Sequence, residues 1–419
     1  MQNSQCTKCK NTFPIFEEDL AFYKKMNVPT PTHCPKCREA RRLAWRNEWK
    51  FYKRTCDLTG EKIISYISPE SKQRVYSLNA WFSDKWERRA TGRDYDFSRP
   101  FFEQFKELLT ATPHIPLLMG DCENSLYTNY SWKNKNCYMI SASDFNQDSY
   151  YSAYLEQSRD CADCLWVSNA ELCYECTDCE KCYDCDFCQT CKNCQTCEHC
   201  TECSRCADCF GCINLRDKKF CVLNKQLTRE EYESKKAYFL KNRGELEARL
   251  KELRDREPVM AIHNSSCENC AGDTLINCKR CFLCFDLIDS IDCRYVTYGL
   301  KAKDCTDMNG ASHCELMYES VASPECYNCR FCSACWVKSS NLDYCHLCRA
   351  CTNCFGCVSL YRNSYCILNK QYTKEEYESL LPKIIEHMKS NGEWGEFFSD
   401  EVSPFSGQLH KFDRVQLIA

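Results

Sequence analysis

From Cys173 to Cys212 every third residue is cysteine, fourteen in succession. The pairs of residues between them are mostly polar or charged. An α-helix repeats every 3.6 residues and a flat strand every 2, so neither element places all these cysteines on one side. The chain must therefore fold so that one residue in three points inward and the other two face water.

The three-residue period extends well beyond the cysteine run. Stepping back by threes from Cys173 to Cys122 meets only small, apolar or neutral polar residues. An uninterrupted period of this kind is typical of a repetitive scaffold. We expect a mainly β protein with helical additions, in which an N-terminal zinc ribbon and a small α+β unit precede two tandem Cys-rich β-solenoid lobes, each ending in a helix.

The second lobe is predicted from an internal duplication. Cys354-Phe-Gly-Cys357 repeats Cys209-Phe-Gly-Cys212, and a Thr-x-x-Glu capping box follows in both places, at Thr228 and at Thr373. The expected divisions are a zinc ribbon with a basic helix (1–60), an α+β unit (61–118), solenoid lobe 1 (119–227), a linker helix (228–260), solenoid lobe 2 (261–372), and a C-terminal helix and tail (373–419).

Two C-x2-C pairs near the amino terminus predict a metal site. Each pair presents two sulfur atoms from one tight turn, and two such turns complete the tetrahedral ligand set that zinc prefers. The predicted zinc ligands are Cys6, Cys9, Cys34 and Cys37.

The duplication also selects candidate ligands within the lobes. Some cysteines of one copy are replaced by Ser, Met, Ile or Ala in the other, which indicates a packing role. The cysteines kept in both copies are the metal candidates, and three interpretations stay open for them: zinc sites, iron–sulfur clusters, or reduced packing residues. They are Cys182, Cys185, Cys188, Cys191, Cys200, Cys203, Cys206, Cys209, Cys212 and Cys221 in copy one, and Cys326, Cys329, Cys332, Cys335, Cys345, Cys348, Cys351, Cys354, Cys357 and Cys366 in copy two.

A basic, aromatic-rich stretch follows the second C-x2-C pair. Its cations on a helix would suit phosphate contacts, and its aromatic residues would suit base stacking. The alternative is an amphipathic helix with buried aromatics and solvated arginines. Cys56, just after this stretch, is expected to be a buried free thiol. The candidate nucleic-acid-binding residues are Arg38, Arg41, Arg42, Arg46, Lys50 and Arg54.

Composition bears on the compartment. The chain has 42 cysteines among 419 residues, a density associated with disulfide scaffolds or metal sites. No signal peptide and no membrane-spanning run is visible, so we expect a cytoplasmic protein with reduced or metal-bound cysteines and no membrane partner. Residues 1–60 carry a net charge of +6 and residues 161–212 a net charge of −7, which indicates different roles for the two regions.

No Ser/His/Asp set, glycine-rich phosphate loop or H-E-x-x-H motif is present, and the eight histidines are dispersed. The sequence therefore favours a non-enzymatic, zinc-binding scaffold or interaction protein whose protein partner it does not specify. Two alternatives stay open: electron transfer through several iron–sulfur clusters, and RNA or ribosome binding by the basic head.

Several motifs also resemble one uncharacterised family. They are Cys34-Pro-Lys-Cys37-Arg, the stretch from Gly92 to Phe105, Asn124-Ser-Leu-Tyr-Thr-Asn129, and the twice-used C-F-G-C…C-x-L-N-K-Q…T-x-E-E-Y. The chain resembles, over nearly its whole length, cysteine-rich, zinc-ribbon-headed proteins of candidate-phyla bacteria with small genomes. The resemblance implies the same architecture and a bacterial cytoplasmic setting, and it implies no activity.

Overall fold

A computed structural model of the chain describes residues 2–152, 155, 157–162, 171–174, 195–198, 200–258, 260–291, 293, 297–300, 308, 311–312, 318–321, 323–324, 330–331, 333, 339–405 and 416–418. These residues contain several small sheets and seven α-helices. The helices are α1 Glu17–Lys25, α2 Pro35–Leu43, α3 Leu78–Phe82, α4 Phe101–Ala111, α5 Arg229–Lys241, α6 Arg243–Arg256 and α7 Lys374–Ser390.

The strands are short. The head and the adjoining unit contain β1 Gln2–Gln5, β2 Thr12–Ile15, β3 Lys50–Thr55 and β4 Lys62–Ser65. The first Cys-rich segment contains β5 Met119–Gly120, β6 Tyr127–Asn129, β7 Ser131–Trp132, β8 Tyr138–Ser141, β9 Arg159–Ala162, β10 Glu171–Tyr174, β11 Gln195–Glu198, β12 Ala207–Phe210, β13 Lys219–Val222 and β14 Lys225–Gln226. The second contains β15 Ala271–Ile276, β16 Phe282–Ile288, β17 Thr297–Leu300, β18 Ala311–Ser312, β19 Ser323–Pro324, β20 Ser340–Asp343, β21 Thr352–Phe355, β22 Ser364–Ile367 and β23 Lys370–Gln371, and β24 Gln416–Ile418 lies at the C-terminus.

Strands in both Cys-rich segments pair in parallel with partners 12 residues further along the chain. Cys197 pairs with Cys209 and Cys209 with Cys221, and in the second segment Cys354 pairs with Cys366. The described bridges outside these strands, such as Thr201 with Ile213, mostly keep the same offset. The chain thus returns beside itself after four steps of three residues each.

A left-handed residue at every third position explains the three-residue step. Between residues 200 and 224, φ is positive at residues 202, 205, 208, 211, 214, 217, 220, 223 and 224. Only one of these is glycine, although a left-handed conformation costs other residues about 1–2 kcal/mol. Each such residue turns the chain, and the residue that follows it is usually a buried one such as Cys203 or Cys206.

Backbone hydrogen bonds between neighbouring passes of the chain offset that cost. The N–H of Thr201 donates to the carbonyl of Cys212 at 2.8 Å, and the N–H of Asn214 donates back to the carbonyl of Thr201 at 3.0 Å. This pair recurs every three residues, for example from Ser204 to Leu215 at 2.8 Å. The inward N–H groups instead meet buried side chains, as Cys137 meets the hydroxyl of Ser125 at 2.9 Å.

Each Cys-rich segment ends in an antiparallel turn followed by a helix. β14 pairs with β13, and β23 pairs with β22, in the same register. Both capping boxes are confirmed at Thr228 and Thr373. The single long helix expected after Thr228 is wrong, because the chain breaks at Asn242. The break lets two helices pack their apolar sides against the end of the first segment.

The largest hydrophobic core joins distant parts of the chain. It contains residues of the head, of α4, of the second Cys-rich segment, of α7 and of the tail, including Cys6, Phe105, Tyr344, Ile384 and Phe398. The head is therefore packed onto the second segment, and its position is fixed by the same core that holds the C-terminal helix.

Candidate metal centre

The first C-x2-C pair lies in the turn between β1 and β2. The N–H of Cys6 donates to the carbonyl of Asn11, and the N–H of Lys10 donates to the carbonyl of Cys6, both at 2.9 Å. Lys10 has a φ of 63°, which reverses the chain after Cys9. The tight turn brings the two sulfur atoms of the pair to one side.

The second pair lies at the start of α2. Cys34 is the N-cap residue, Pro35 opens the helix, and the N–H of Arg38 donates to the carbonyl of Cys34 at 3.0 Å. Proline suits the first helical turn because no partner is needed for an N–H there. A further bond, from the N–H of Thr7 to the carbonyl of Thr32 at 3.0 Å, joins this segment to the first turn.

The four predicted ligands meet, which confirms this part of the sequence prediction. The sulfur atoms of Cys6, Cys9, Cys34 and Cys37 all lie within 4.8 Å of one another. The Sγ atoms of Cys9 and Cys34 are 3.7 Å apart. A tetrahedral site with zinc–sulfur bonds of about 2.3 Å requires sulfur atoms about 3.8 Å apart. The donor set and its spacing therefore fit a zinc ion.

The thiols do not ionise equally. Burial alone would raise the pKa of the Cys6 thiol, but backbone N–H groups of Cys34, Cys9 and Lys8 outweigh it and lower that pKa to about 6. Burial and the three neighbouring thiols raise the pKa of Cys37 to about 12. One thiolate forms readily, whereas four close thiolates require a cation to compensate their charge.

The C-terminal tail lies against the head. Lys8 pairs with Asp400 at 2.8 Å, and the indole N–H of Trp45 donates to the carbonyl of Ser399 at 3.1 Å. The hydroxyl of Ser403 donates to the carbonyl of Ala44 at 2.6 Å. The segment that carries the metal ligands is thus held by residues more than 350 positions away.

A buried ion-pair group reinforces this contact. Arg41 of α2 bonds Glu319 at 2.6 Å and Glu396 at 2.9 Å. The Glu319 side chain is fully buried, so removing Arg41 would leave an uncompensated charge. The sequence analysis did not include either glutamate among the functional residues, because nothing in the sequence links a glutamate to an arginine 278 positions away.

The expectation that the basic stretch contacts nucleic acid is not supported. α2 ends at Leu43 and the later cations lie on or near β3. Burial removes most of these side chains from the surface: Arg38, Arg41, Arg42 and Arg46 are at most 7% exposed, Lys50 is half-buried, and the Arg54 side chain is 8% exposed. Internal partners hold several of them. Arg38 donates to the carbonyl of His33, Arg46 pairs with Glu48, and Arg54 donates to the carbonyls of Ser68 and Gln73.

The candidate cysteines of the two Cys-rich segments behave differently from those of the head. Each described member donates its S–H to a backbone carbonyl; Cys206, for example, donates to Ser204 at 3.5 Å and to Leu215 at 3.4 Å. Burial and neighbouring thiols keep the pKa of Cys345 well above its usual value. The described candidates are Cys200, Cys203, Cys206, Cys209, Cys212, Cys221, Cys345, Cys348, Cys351, Cys354, Cys357 and Cys366.

Buried serines at equivalent positions make the same bond. The hydroxyl of Ser125 donates to the carbonyl of Glu123 at 2.8 Å, and that of Ser149 to the carbonyl of Gln147 at 3.0 Å. This shared geometry gives a physical reason for the exchange of Cys and Ser between the two segments.

Within the described part of the chain, the head set is the only group in which three or more cysteine, histidine or carboxylate ligand atoms lie within 4.8 Å of one another. The structure therefore does not gather the described segment cysteines into a four-thiolate site. The remaining candidates, Cys182, Cys185, Cys188, Cys191, Cys326, Cys329, Cys332 and Cys335, lie outside the described residues.

Comparison with protein-family models, curated proteins and solved structures finds no match for this chain. None of the described helices combines the length and the apolar character needed to cross a bilayer.

Proposed function

We propose that the protein is a non-enzymatic metal-binding scaffold whose head is closed by one structural zinc ion. The observation that carries this proposal is the convergence of Cys6, Cys9, Cys34 and Cys37 within 4.8 Å. When bound, zinc neutralises the thiolates and ties the two turns together. The chain's own residues orient the ligands, because backbone N–H groups donate to Cys6 and the start of α2 presents the second pair.

The two Cys-rich segments form the body of the proposed scaffold. We assign them to β-solenoids with 12 residues per coil and four three-residue sides. The constant parallel offset supports this assignment, and so does the left-handed residue at every third position. In this arrangement the inward cysteines satisfy backbone groups and fill the interior as neutral thiols.

The zinc-bound head is proposed to fasten the two ends of the chain to this body. Arg41 reaches both Glu319 and Glu396, and Lys8 reaches Asp400. A fixed head and tail would hold the outer surfaces of the segments in a constant orientation for a protein partner. The S–H donors require reduced cysteines, which is consistent with a cytoplasmic location.

Metal analysis after anaerobic purification tests the proposal. We expect one zinc per chain, no stoichiometric iron, and loss of the zinc in a Cys9→Ser variant. A brown protein with broad visible absorption and more iron than zinc would contradict the proposal and favour electron transfer. Several zinc ions per chain would contradict the neutral-thiol assignment of the segment cysteines.

A further inference from the structure

The hairpin of β3 and β4 repeats the hairpin that carries the first metal-ligand pair. Gln5 pairs with Thr12 and Thr55 pairs with Lys62, so six residues separate the strands in both. The N–H of Cys56 donates to the carbonyl of Glu61 at 2.8 Å, just as the N–H of Cys6 donates to the carbonyl six positions after Gln5. Cys56 therefore occupies the position of Cys6.

The turns inside the two hairpins also match. The N–H of Gly60 donates to the carbonyl of Cys56 at 2.9 Å, as the N–H of Lys10 does to the carbonyl of Cys6. Both turn residues are left-handed, with φ of 76° at Gly60 and 63° at Lys10. Thr59 thus takes the place that Cys9 has in the head.

The second half of the metal site has a counterpart as well. The N–H of Asp57 donates to the carbonyl of Val75 at 2.9 Å, and two residues later Ser77 is the N-cap of α3. In the head, Thr7 donates to Thr32, and two residues later Cys34 is the N-cap of α2. Ser77 therefore corresponds to Cys34.

The first turn of each helix completes the match. The N–H of Trp81 donates to the carbonyl of Ser77 at 2.7 Å, as that of Arg38 does to Cys34 at 3.0 Å. The residue one before Trp81 is Ala80, and the residue one before Arg38 is Cys37. Four equivalent positions therefore read Cys, Cys, Cys, Cys in the head and Cys, Thr, Ser, Ala in residues 50–82.

We infer that residues 50–82 are a second ribbon of the head, in which Cys56, Thr59, Ser77 and Ala80 occupy the positions of the four zinc ligands. One thiol is retained and three ligands are replaced. Neither a hydroxyl nor a methyl group substitutes for a thiolate on zinc, so this ribbon holds its shape without a metal.

Hydrogen bonds and an apolar core do the work of the metal in this second ribbon. The sulfur of Cys56 accepts the N–H of Ser77 at 3.1 Å and that of Thr59 at 3.4 Å. The hydroxyl of Ser77 accepts the N–H of Ala80 at 3.3 Å. Cys56 and Ala80 both belong to one buried cluster with Trp81.

The direct test restores the missing ligands. A Thr59→Cys, Ser77→Cys, Ala80→Cys variant of the full chain should bind one more zinc than the native chain, measured by metal analysis. Loaded with cobalt(II), it should also show twice the native intensity of the tetrahedral thiolate bands. The extra metal should disappear when Cys56→Ser is added to the variant.

The gain in metal is measured against the native chain, so it tests the second ribbon even if the head binds no zinc. A folded triple variant with the native metal content would overturn the inference, and so would extra metal that persists after Cys56→Ser. If the triple variant does not fold, the Thr59→Cys, Ser77→Cys variant supplies three thiolates. It should still take up one additional cobalt(II), and failure to do so when folded would also overturn the inference.

Discussion

Replacing Cys206 by serine distinguishes hydrogen bonding from metal coordination in the Cys-rich segments. Cys206 is 3% exposed, and its S–H donates to two carbonyls. Both carbonyls already accept backbone N–H groups, from Asp217 and Ser204, so the thiol is a second partner. A serine hydroxyl can make the same bonds. We therefore expect Cys206→Ser to change the free energy of unfolding by about 1 kcal/mol or less.

Metal coordination predicts a different magnitude. Structural zinc contributes about 10–16 kcal/mol in zinc-finger peptides, so losing one of four thiolates should cost several kcal/mol and lower the zinc content. Denaturant unfolding followed by circular dichroism, with zinc measured on the same samples, separates the two outcomes. A loss above about 3 kcal/mol together with reduced zinc in Cys206→Ser would refute the hydrogen-bonding account.

Cys206→Val provides the matched control. Valine has no donor and adds a branched methyl group to a filled interior, so we expect a loss of about 1–3 kcal/mol with unchanged zinc content. The serine variant should be the more stable of the two. The opposite order would show that the inward positions require an apolar side chain rather than a donor.

Three further predictions concern the contacts between distant parts of the chain. Glu393 accepts the first two backbone N–H groups of α4, each at 2.9 Å, so Glu393→Gln should lower the free energy of unfolding by about 1–3 kcal/mol, whereas the exposed Glu386→Gln should stay within about 0.5 kcal/mol. Burial lowers the pKa of His114, whose ring lies 5.4 Å from that of His346, to about 4. The folded state therefore favours the neutral ring, and stability present above pH 6.5 should fall as the pH drops to 4. In urea titrations this fall should be smaller in His114→Leu, and an identical fall would contradict the assignment. Chelation of zinc should speed proteolytic cleavage within residues 393–405, and an unchanged cleavage rate would show that the tail is held independently of the metal.

Local signals in the sequence predict much of this fold. The two C-x2-C pairs identify the metal site because each pair needs only one tight turn, and the capping boxes at Thr228 and Thr373 mark their helices through contacts three residues apart. The three-residue period predicts which residues are buried, but not the number of residues in one pass of the chain. That number depends on the pairing of strands 12 residues apart.

Other features depend on contacts that no local pattern contains. The burial of Arg41 follows from Glu319 and Glu396, which approach it only after the second segment and the tail have packed. The second ribbon is hidden in the sequence because three of its four ligand positions are no longer cysteine. Its backbone geometry is retained around Cys56, and only the structure makes this comparison.

X-ray absorption spectroscopy at the zinc edge of the native chain tests the central claim most directly. The account predicts a single zinc environment with four sulfur neighbours at about 2.3 Å, and loss of bound zinc in Cys9→Ser. A coordination shell with nitrogen or oxygen neighbours, or an unchanged zinc spectrum and content in Cys9→Ser, would contradict a four-thiolate site at Cys6, Cys9, Cys34 and Cys37.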